Sequence, residues 1–438
     1  MQGYQKLVLV CIIVFLLAPI SKSITVYHQQ DRINQEIINK AWLQVDDQVK
    51  ILYINGSHYE MGYQQGYFLK DEIHQNLRAF IGNSSSRFNE LLDIWHEMKP
   101  YVPYEYIDEI QGIADGADLT FEQVIAGYME FTRSGLSCFG FSAWGNATLN
   151  GRLLHIRSFD QPLDIIDPIT GIPAYENNVL IIRNPDNGYA SIAPSIAGIA
   201  HSGGGFNEMG IALGQQVCWS NDQQLQGTPS LFKTLMILDR AADINDAIGI
   251  LTSNLTIGWN YVVSDAKIPV GYAVELTGSH TYVGTWNNPV ESIRPFWSIN
   301  DVVRRTNFFI EPTIAETQRE KYNPSGLLSL IELAKRTDIF YAVWRSYKAV
   351  SDDIEDHWGM LDINNSIDLI RNSYAGDTDL LLKIIVNLAE GTSFNRAWNM
   401  WAADPITGDL LVCFAEGEHV AYENQIYHYN LFELLNER

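Results

Sequence analysis

Residues 134–162 read SGLSCFGFSAWGNATLNGRLLHIRSFDQP. Two strand-forming runs, FGFSAWG and GRLLHIRSF, flank Asn150-Gly151, a dipeptide suited to the positive-φ positions of a tight hairpin turn. A hairpin returns its far end beside its start, which brings Arg157 and Asp160 toward Cys138. A cysteine becomes strongly nucleophilic once its thiol proton is removed. An ion pair or hydrogen bonds from Arg157 and Asp160 would hold such a nucleophile in place. The plainer readings are an inert core thiol and a structural ion pair.

Upstream of this stretch the pattern is helical. His58 to Ile81 and Phe88 to Met98 place apolar residues at helical spacing, and YEYIDEIQGIADGAD continues in that style up to Gly116. Thr120-Phe-Glu-Gln123 has the form of a capping box opening another helix toward Phe131. Downstream the texture changes to short runs such as NNVLIIRN, YASIAPS, GIALGQQVCW, WNYVVSDA, VGYAVEL and DLLVCFAE, separated by Gly, Asn and Asp turns. These predict antiparallel strands, interrupted chiefly by helices over Ser230–Leu251 and Ser325–Ser346. Strands grouped together and helices grouped apart imply an α+β sandwich rather than a doubly wound parallel sheet.

The first 23 residues carry Lys6, an apolar run from Leu7 to Ile20, and Ser21 and Ser23 at small-residue positions, the pattern of a secretory signal peptide. The apolar run is shorter than the roughly 20 residues of a bilayer span. The expected mature chain is therefore secreted, extracellular or luminal, without stable membrane insertion. It would keep 27 basic against 52 acidic side chains. Nucleic acid is thereby excluded as a partner, because phosphate binding requires clustered cations. Cys11 leaves with the signal, and Cys138, Cys218 and Cys413 remain, an odd number in an oxidising compartment. Cys218 and Cys413 read as core thiols or a mutual disulfide. Five N-x-S/T triplets begin at Asn55, Asn83, Asn146, Asn254 and Asn364, and would suit a glycoprotein.

Several chemistries are absent from the sequence. Gly135-Leu-Ser-Cys-Phe139 lacks the second glycine of a nucleophile elbow. Gly203 to Gly205 completes no dinucleotide fingerprint, and neither a P-loop nor H-E-x-x-H occurs. His155, His201 and His280 are scattered, so no metal site follows from their spacing, and no cofactor is expected.

The whole constellation resembles the penicillin acyltransferase-like cysteine N-terminal-nucleophile (Ntn) hydrolases, a group with relatives among bile-salt hydrolases, penicillin V acylases and acid ceramidase. YEMGYQQG and EIQGIADGADLTFEQV look like that family's propeptide helices. CFGFSAWGNATLNGRLLHIRSFD is similar to its nucleophile hairpin, GGGFNEMGIALGQQ to its G-x-N-E-x-G-L strand pair, GWNYVVSDA to its asparagine-containing strand, and RRTNFFIEPTIAETQREKY to its H-T-N-H-F stretch. The resemblance implies a four-layer αββα sandwich, with residues 24–137 as a mainly helical N-terminal segment and 138–438 as the catalytic domain.

It also implies roles. Autocleavage between Ser137 and Cys138 would free an α-amino group on Cys138, with an unperturbed pKa near 7.7 to 8.0, able to take the thiol proton. The thiolate would attack an amide carbonyl, pass through an oxyanion and form a thioester, resolved by water or an acceptor amine. By resemblance Asn260 is the side-chain donor to the oxyanion, Asp160 binds the new amine and Arg157 orients the site. Gln216 stands where the family has an asparagine. Other departures are Phe139 for threonine, Ser137 for glycine, and Arg305 and Phe308 for the histidines of the T-N stretch. Trp144 and Trp259 flank the nucleophile and oxyanion segments, where they would line an acyl pocket or simply pack the core. Glu275, inside the apolar run VGYAVEL, needs a partner if buried, and reads as a member of a structural pair.

The expected substrate is a small N-acyl compound such as an N-acyl amino acid, a β-lactam side chain or a lipid amide, and the two cleavage fragments would stay associated. The competing expectations are an unprocessed binding or scaffold protein of the same fold, and a protease acting on peptides.

Overall fold

The computed structural model describes residues 32–82, 84–133, 137–319, 342–376 and 395–437. The expected signal peptide, the sequon at Asn83 and most of the Ser325–Ser346 helix lie outside the described residues.

In chain order, β1 (Trp42–Asp46) and β2 (Val49–Gly56) precede five helices, α1 (His58–Phe68), α2 (Lys70–Ile81), α3 (Ser85–Met98), α4 (Tyr104–Gly116) and α5 (Phe121–Arg133). Then come β3 (Ser137–Gly145), β4 (Gly151–Pro162), β5 (Asn178–Pro185), β6 (Ser191–Ile196), β7 (Gly204–Asn207) and β8 (Ile211–Val217). After α6 (Ser230–Arg240) and α7 (Ile244–Thr252) follow β9 (Trp259–Asp265), β10 (Val270–Leu276), β11 (Thr281–Gly284) and β12 (Val302–Arg305). The chain continues with α8 (Ala342–Asp356), α9 (Ile363–Gly376), β13 (Asn395–Asp404), β14 (Asp409–Phe414) and β15 (Tyr427–Asn430).

The strands form two sheets. The larger has the order β1, β2, β5, β6, β7, β8, β9, β10, β11, and the smaller β12, β3, β4, β13, β14, β15. Leu52, Ile181, Leu213 and Tyr261 of the larger sheet pack against helix residues such as Met61, Ile113 and Leu235. Alternate residues of the same strands, among them Leu180, Ile182 and Ala212, meet Trp401, Ala403 and Val412 of the smaller sheet. On its other side the smaller sheet buries Phe139, Phe141 and Ile156 against Tyr347, Val350, Ile367 and Ile370 of α8 and α9. Helix, sheet, sheet and helix thus stack in four layers, as expected of the αββα sandwich. Strands covered on both faces explain why so many of the runs are continuously apolar rather than alternating.

The glycines of the two N-terminal motifs have a packing reason. A Cβ on Gly62 would stand 2.1 Å from the Glu109 carbonyl oxygen, and one on Gly112 would stand 2.2 Å from that of Tyr59. Backbones of α1 and α4 therefore cross in direct contact, which only glycine permits. The capping box forms, with Gln123 N–H donating to Thr120 Oγ1 at 3.3 Å and Thr120 N–H to Gln123 Oε1 at 2.9 Å.

The structure departs from the sequence expectations in three places. The His58–Ile81 run is two helices, broken at Leu69. Ser230–Leu251 is likewise two, because the Asp243 carboxylate caps a new helix by accepting from the N–H groups of Asn245 and Asp246. The N-terminal segment, mainly helical, also holds two strands that the sequence reading did not place: β1 and β2 join the larger sheet, and β2 runs parallel to β5. The β1–β2 hairpin is local, whereas the pairing of β2 with β5 joins segments distant in sequence and leaves no local signal.

Candidate active site

The β3–β4 register fixes what meets what. Cys138 pairs with Phe159, Gly140 with Arg157, and Ser137 with Asp160. Side chains alternate across a strand, so Phe139 and Phe141 turn to the α8–α9 layer while Cys138 and Gly140 turn the other way. Cys138 is 1% exposed. Burial pushes its thiol up to about 11, the Arg157 guanidinium offsetting part of that effect.

Arg157 is buried and holds the sulfur. Its Nη2 donates to Cys138 Sγ at 3.4 Å and to the Gln215 carbonyl at 3.0 Å. Nε and Nη1 have no hydrogen-bond partner among the described residues. Space for the side chain comes from glycines of the other sheet: a Cβ on Gly214 would lie 2.6 Å from Arg157 Cδ, and one on Gly203 2.9 Å from Nη2. The glycine run that completes no nucleotide fingerprint is thus part of a cradle for this guanidinium. Desolvation lowers the Arg157 pKa, yet a guanidinium remains charged in a protein. Two unspent donors on a buried cation are costly unless an acceptor arrives.

Asp160 lies on the same strand but its carboxylate is engaged elsewhere. Oδ2 accepts from the Tyr374 hydroxyl of α9 at 2.9 Å, and Oδ1 accepts from Ser158 Oγ. Burial raises its pKa to about 6 against the pull of those two donors and Arg157. In the uncut chain Asp160 does not accept from the Cys138 N–H. Cys138 N–H donates instead to Asn307 Oδ1 at 2.8 Å, and the Cys138 carbonyl accepts from Thr306 Oγ1 at 2.9 Å.

Gln216 and Asn260 pair across β8 and β9. The Gln216 amide is fully buried, and neither of its polar atoms has a hydrogen-bond partner among the described residues. Its Nε2 would be 2.7 Å from a Cβ on Gly140, the next residue of β3 on the Cys138 face. Asn260 is placed differently from expectation: its Nδ2 donates to the carbonyls of Thr306 at 2.8 Å and Phe308 at 2.7 Å. Both protons are spent on that strap, so Gln216 carries the uncommitted amide donor on this sheet face.

Trp144 and Trp259 are not brought to the sulfur. Trp144 sits six residues along β3, roughly 20 Å away at about 3.3 Å per residue, and packs with Val262 and Val303. Trp259 belongs to the cluster under the helices, on the strand face opposite Asn260. Cys218 and Cys413 are free buried thiols in separate clusters rather than a disulfide. Glu275 is structural: it accepts from Arg305 Nε at 2.9 Å, while Arg305 also donates to Glu291 at 2.6 and 2.8 Å. His155 and His201 are buried, with pKa values driven down to about 3 chiefly by desolvation, and His280 pairs with Asp222 at 2.9 Å. Among the described residues no group of three or more His, Cys, Asp or Glu is arranged to hold a metal, and no helix is long and apolar enough to cross a membrane.

Sequence reasoning missed Ser158, Tyr374, Thr306 and Asn307. The last two lay inside a stretch already singled out, where the pair Thr-Asn was the available signal. Tyr374 had none, being more than 200 residues from Asp160 on a helix of the other layer.

Residues 167–328 match the model of the acyl-coenzyme A:6-aminopenicillanic acid acyl-transferase family. The matched span holds Gln216, Asn260, Thr306 and Asn307, and begins after Cys138, Arg157 and Asp160. An uncharacterized protein of Archaeoglobus fulgidus is 24% identical over 370 residues, covering 73% of this chain and 57% of that protein. The chain therefore spans less than two thirds of that relative. Protein dcd1A of Dictyostelium discoideum is 23% identical over 330 residues, 66% of this chain and 74% of that protein. Among solved structures, a variant of the conjugated bile acid hydrolase from Clostridium perfringens is similar with a TM-score of 0.40 and 15% identity, covering 68% of this chain and 93% of that one. Penicillin V acylase from Agrobacterium tumefaciens is similar with a TM-score of 0.39 and 12% identity, covering 68% and 87%. Through residues 167–328, the chain is similar to the acyl-coenzyme A:6-aminopenicillanic acid acyl-transferase family.

Proposed function

We propose that this chain is a secreted N-terminal-nucleophile cysteine amidase or acyltransferase, activated by cleavage before Cys138. The observation that carries the reading is that the two reactive atoms of one residue are held separately. Arg157 of β4 reaches the sulfur at 3.4 Å, and Asn307, in the segment after β12, reaches the nitrogen at 2.8 Å. A core thiol requires neither.

Activation balances as an acyl shift followed by hydrolysis. Sγ bonds to the Ser137 carbonyl carbon, the Ser137–Cys138 C–N bond breaks, and the nitrogen takes the thiol proton. Water then splits the thioester, leaving a Ser137 carboxylate, a free thiol and an α-amine on Cys138. In turnover the amine accepts the thiol proton, the thiolate attacks the substrate carbonyl, and the proton passes to the departing amine. Gln216 Nε2 and the unspent Arg157 donors are the groups to stabilise the developing oxyanion. Water or a second amine resolves the acyl-enzyme. In the uncut chain burial pushes the thiol up to about 11, and the Cys138 nitrogen is an amide that cannot take its proton in turnover.

The substrate class proposed is a small N-acyl compound. Intact-mass measurement together with turnover of an N-acyl amide panel tests the reading: two fragments meeting at residue 138, and activity lost in Cys138→Ala, are expected. An uncut wild-type chain without turnover would instead fit a scaffold of the same fold.

A further inference from the structure

We propose that Asn146, in the turn between β3 and β4, carries an N-linked glycan whose first sugars cover an apolar patch formed by Leu149, Trp358 and Met360; this rests on passage through a secretory compartment and not on the chemistry of Cys138.

The patch joins two turns that the chain ties together. Gly359 N–H donates to the Ala147 carbonyl at 3.0 Å, and Leu149 N–H donates to the Leu361 carbonyl at 2.9 Å. The turn between α8 and α9 therefore lies against residues 146–149. At this junction three large apolar side chains stand in solvent: Leu149 is 67% exposed, Met360 54% and Trp358 40%. Single exposed apolar residues are ordinary, but three on adjoining turns mark a surface that something covers. Trp358 is anchored, its Nε1 donating to the Asn300 carbonyl at 2.9 Å. The next residue, Asp301, accepts from the backbone N–H of Asn146 at 2.9 Å and from its Nδ2 at 3.1 Å. A Cβ on Gly359 would stand 3.6 Å from the Asn146 carbonyl oxygen. Asn146 and Trp358 thus share residues 300–301 as a common support, and a sugar on Asn146 starts beside the indole.

Asn146-Ala-Thr148 is an acceptor triplet, and Asn146 is exposed. The sugar donor is a lipid diphosphate-linked oligosaccharide. Its C1–O bond breaks, C1 bonds to Asn146 Nδ2, one Nδ2 proton is released and the lipid diphosphate leaves. The second Nδ2 proton keeps its acceptor in Asp301. Transfer acts on the emerging chain, so the burial of Thr148 in the folded protein does not oppose it. The C–H face of a pyranose fits over the negative face of an indole while its hydroxyls stay in water. Glu355, Asp356 and Asp362 flank the patch in sequence, a charge that would repel an anionic lipid surface. Asn146 is eight residues along β3 from Cys138, roughly 26 Å at about 3.3 Å per residue, so the glycan leaves the nucleophile's end of the sheet uncovered.

The test expresses the full chain in a secreting eukaryotic cell, maps its glycopeptides, and follows hydroxyl-radical oxidation of Trp358 and Met360. Asn146 is expected to carry sugar. Its loss, by Asn146→Gln or by enzymatic release from the folded wild type, is expected to raise oxidation at both residues by about twofold or more as the indole returns to solvent. Asn254, an exposed sequon in a turn with φ of 43°, is the internal control. A bare Asn146 in a chain glycosylated at Asn254 overturns the assignment, as do unchanged oxidation rates once the sugar is gone. A bare Asn146 in a protein that floats with phosphatidylcholine vesicles, and no longer floats as Trp358→Ala, gives the patch to lipid instead. A chain that is never exported sinks the secretion reading and this inference together, and leaves the nucleophile reading standing. If Asn146→Gln does not fold, enzymatic release from the wild type decides alone by the same criterion.

Discussion

Arg157 of β4 spans the gap between the two sheets, its Nη2 shared between the Cys138 sulfur at 3.4 Å and the Gln215 carbonyl of β8 at 3.0 Å. That reach exists because residue 214 is glycine: an added Cβ would lie 2.6 Å from Arg157 Cδ. Gly214→Ala is therefore expected to displace the guanidinium and to cost about 1–3 kcal/mol in overpacking. Turnover should fall with it, and the unfolding free energy from a urea titration measures the rest. Retention of full activity would mean that the sulfur does not depend on Arg157.

Gln216 sets stability against function. A buried amide with neither end paired costs about 1–3 kcal/mol, and Gln216 is in that position. Gln216→Leu keeps most of the volume and removes the unpaired groups, so the protein should become more stable by about that amount. If Gln216 donates to the oxyanion, turnover falls about 100-fold to 1000-fold in the same variant. Denaturation and kinetics of one protein read both signs. A stabilised variant with unchanged kcat would leave the oxyanion to Arg157 alone.

Asp160 gives a pH dependence of defined sign. Burial raises its folded-state pKa to about 6 from the usual 3.8, so between those values the folded chain holds a proton that the unfolded chain has released. Its contribution is fully present below the unfolded pKa and is lost as pH rises through about 6, by up to about 3 kcal/mol. Asp160→Asn stays neutral throughout. Compared in a Cys138→Ala background, where the chain remains whole, the Asn variant should gain relative stability from about pH 4 to about pH 6 and level off above. A constant difference across that window would show that Tyr374 and Ser158 keep Asp160 ionised in the folded state.

Much of this was readable in the sequence, and the limits have physical causes. The hairpin was legible because turn residues and alternating strands are local signals, and one register then places Arg157 beside Gly140 and near Cys138. Where side chains of one strand point is also local, but what they meet on the next layer is not. Asp160 was therefore assigned to the nucleophile's nitrogen when its partners are Ser158 and, 214 positions away, Tyr374. Asn260 was read as a free donor because nothing in its strand reveals that residues 306 and 308 offer two carbonyls. The pairing of β2 with β5 escaped for the same reason, since its partner lies on the far side of five helices.

Glu109 and Arg183 lie on opposite sides of the proposed cut and are locked together. Arg183 donates to Glu109 at 2.5 and 3.0 Å and approaches Asp239 at 3.4 Å, while His58 Nδ1 meets Glu109 at 2.7 Å. Burial pushes Glu109 up, but Arg183 and His58 pull harder and leave it down at about 2. Cleavage before Cys138 would leave Glu109 and His58 in one fragment, Arg183 and Asp239 in the other. The fragments should then co-elute in gel filtration without denaturant. Arg183→Met strands a buried carboxylate and should cost about 3–5 kcal/mol, lowering the urea concentration at which the fragments separate. Converting both partners, with Glu109→Met added, removes the stranded charge and should recover part of the loss. Separation of the wild-type fragments in plain buffer would show that this charge cluster does not hold the halves together.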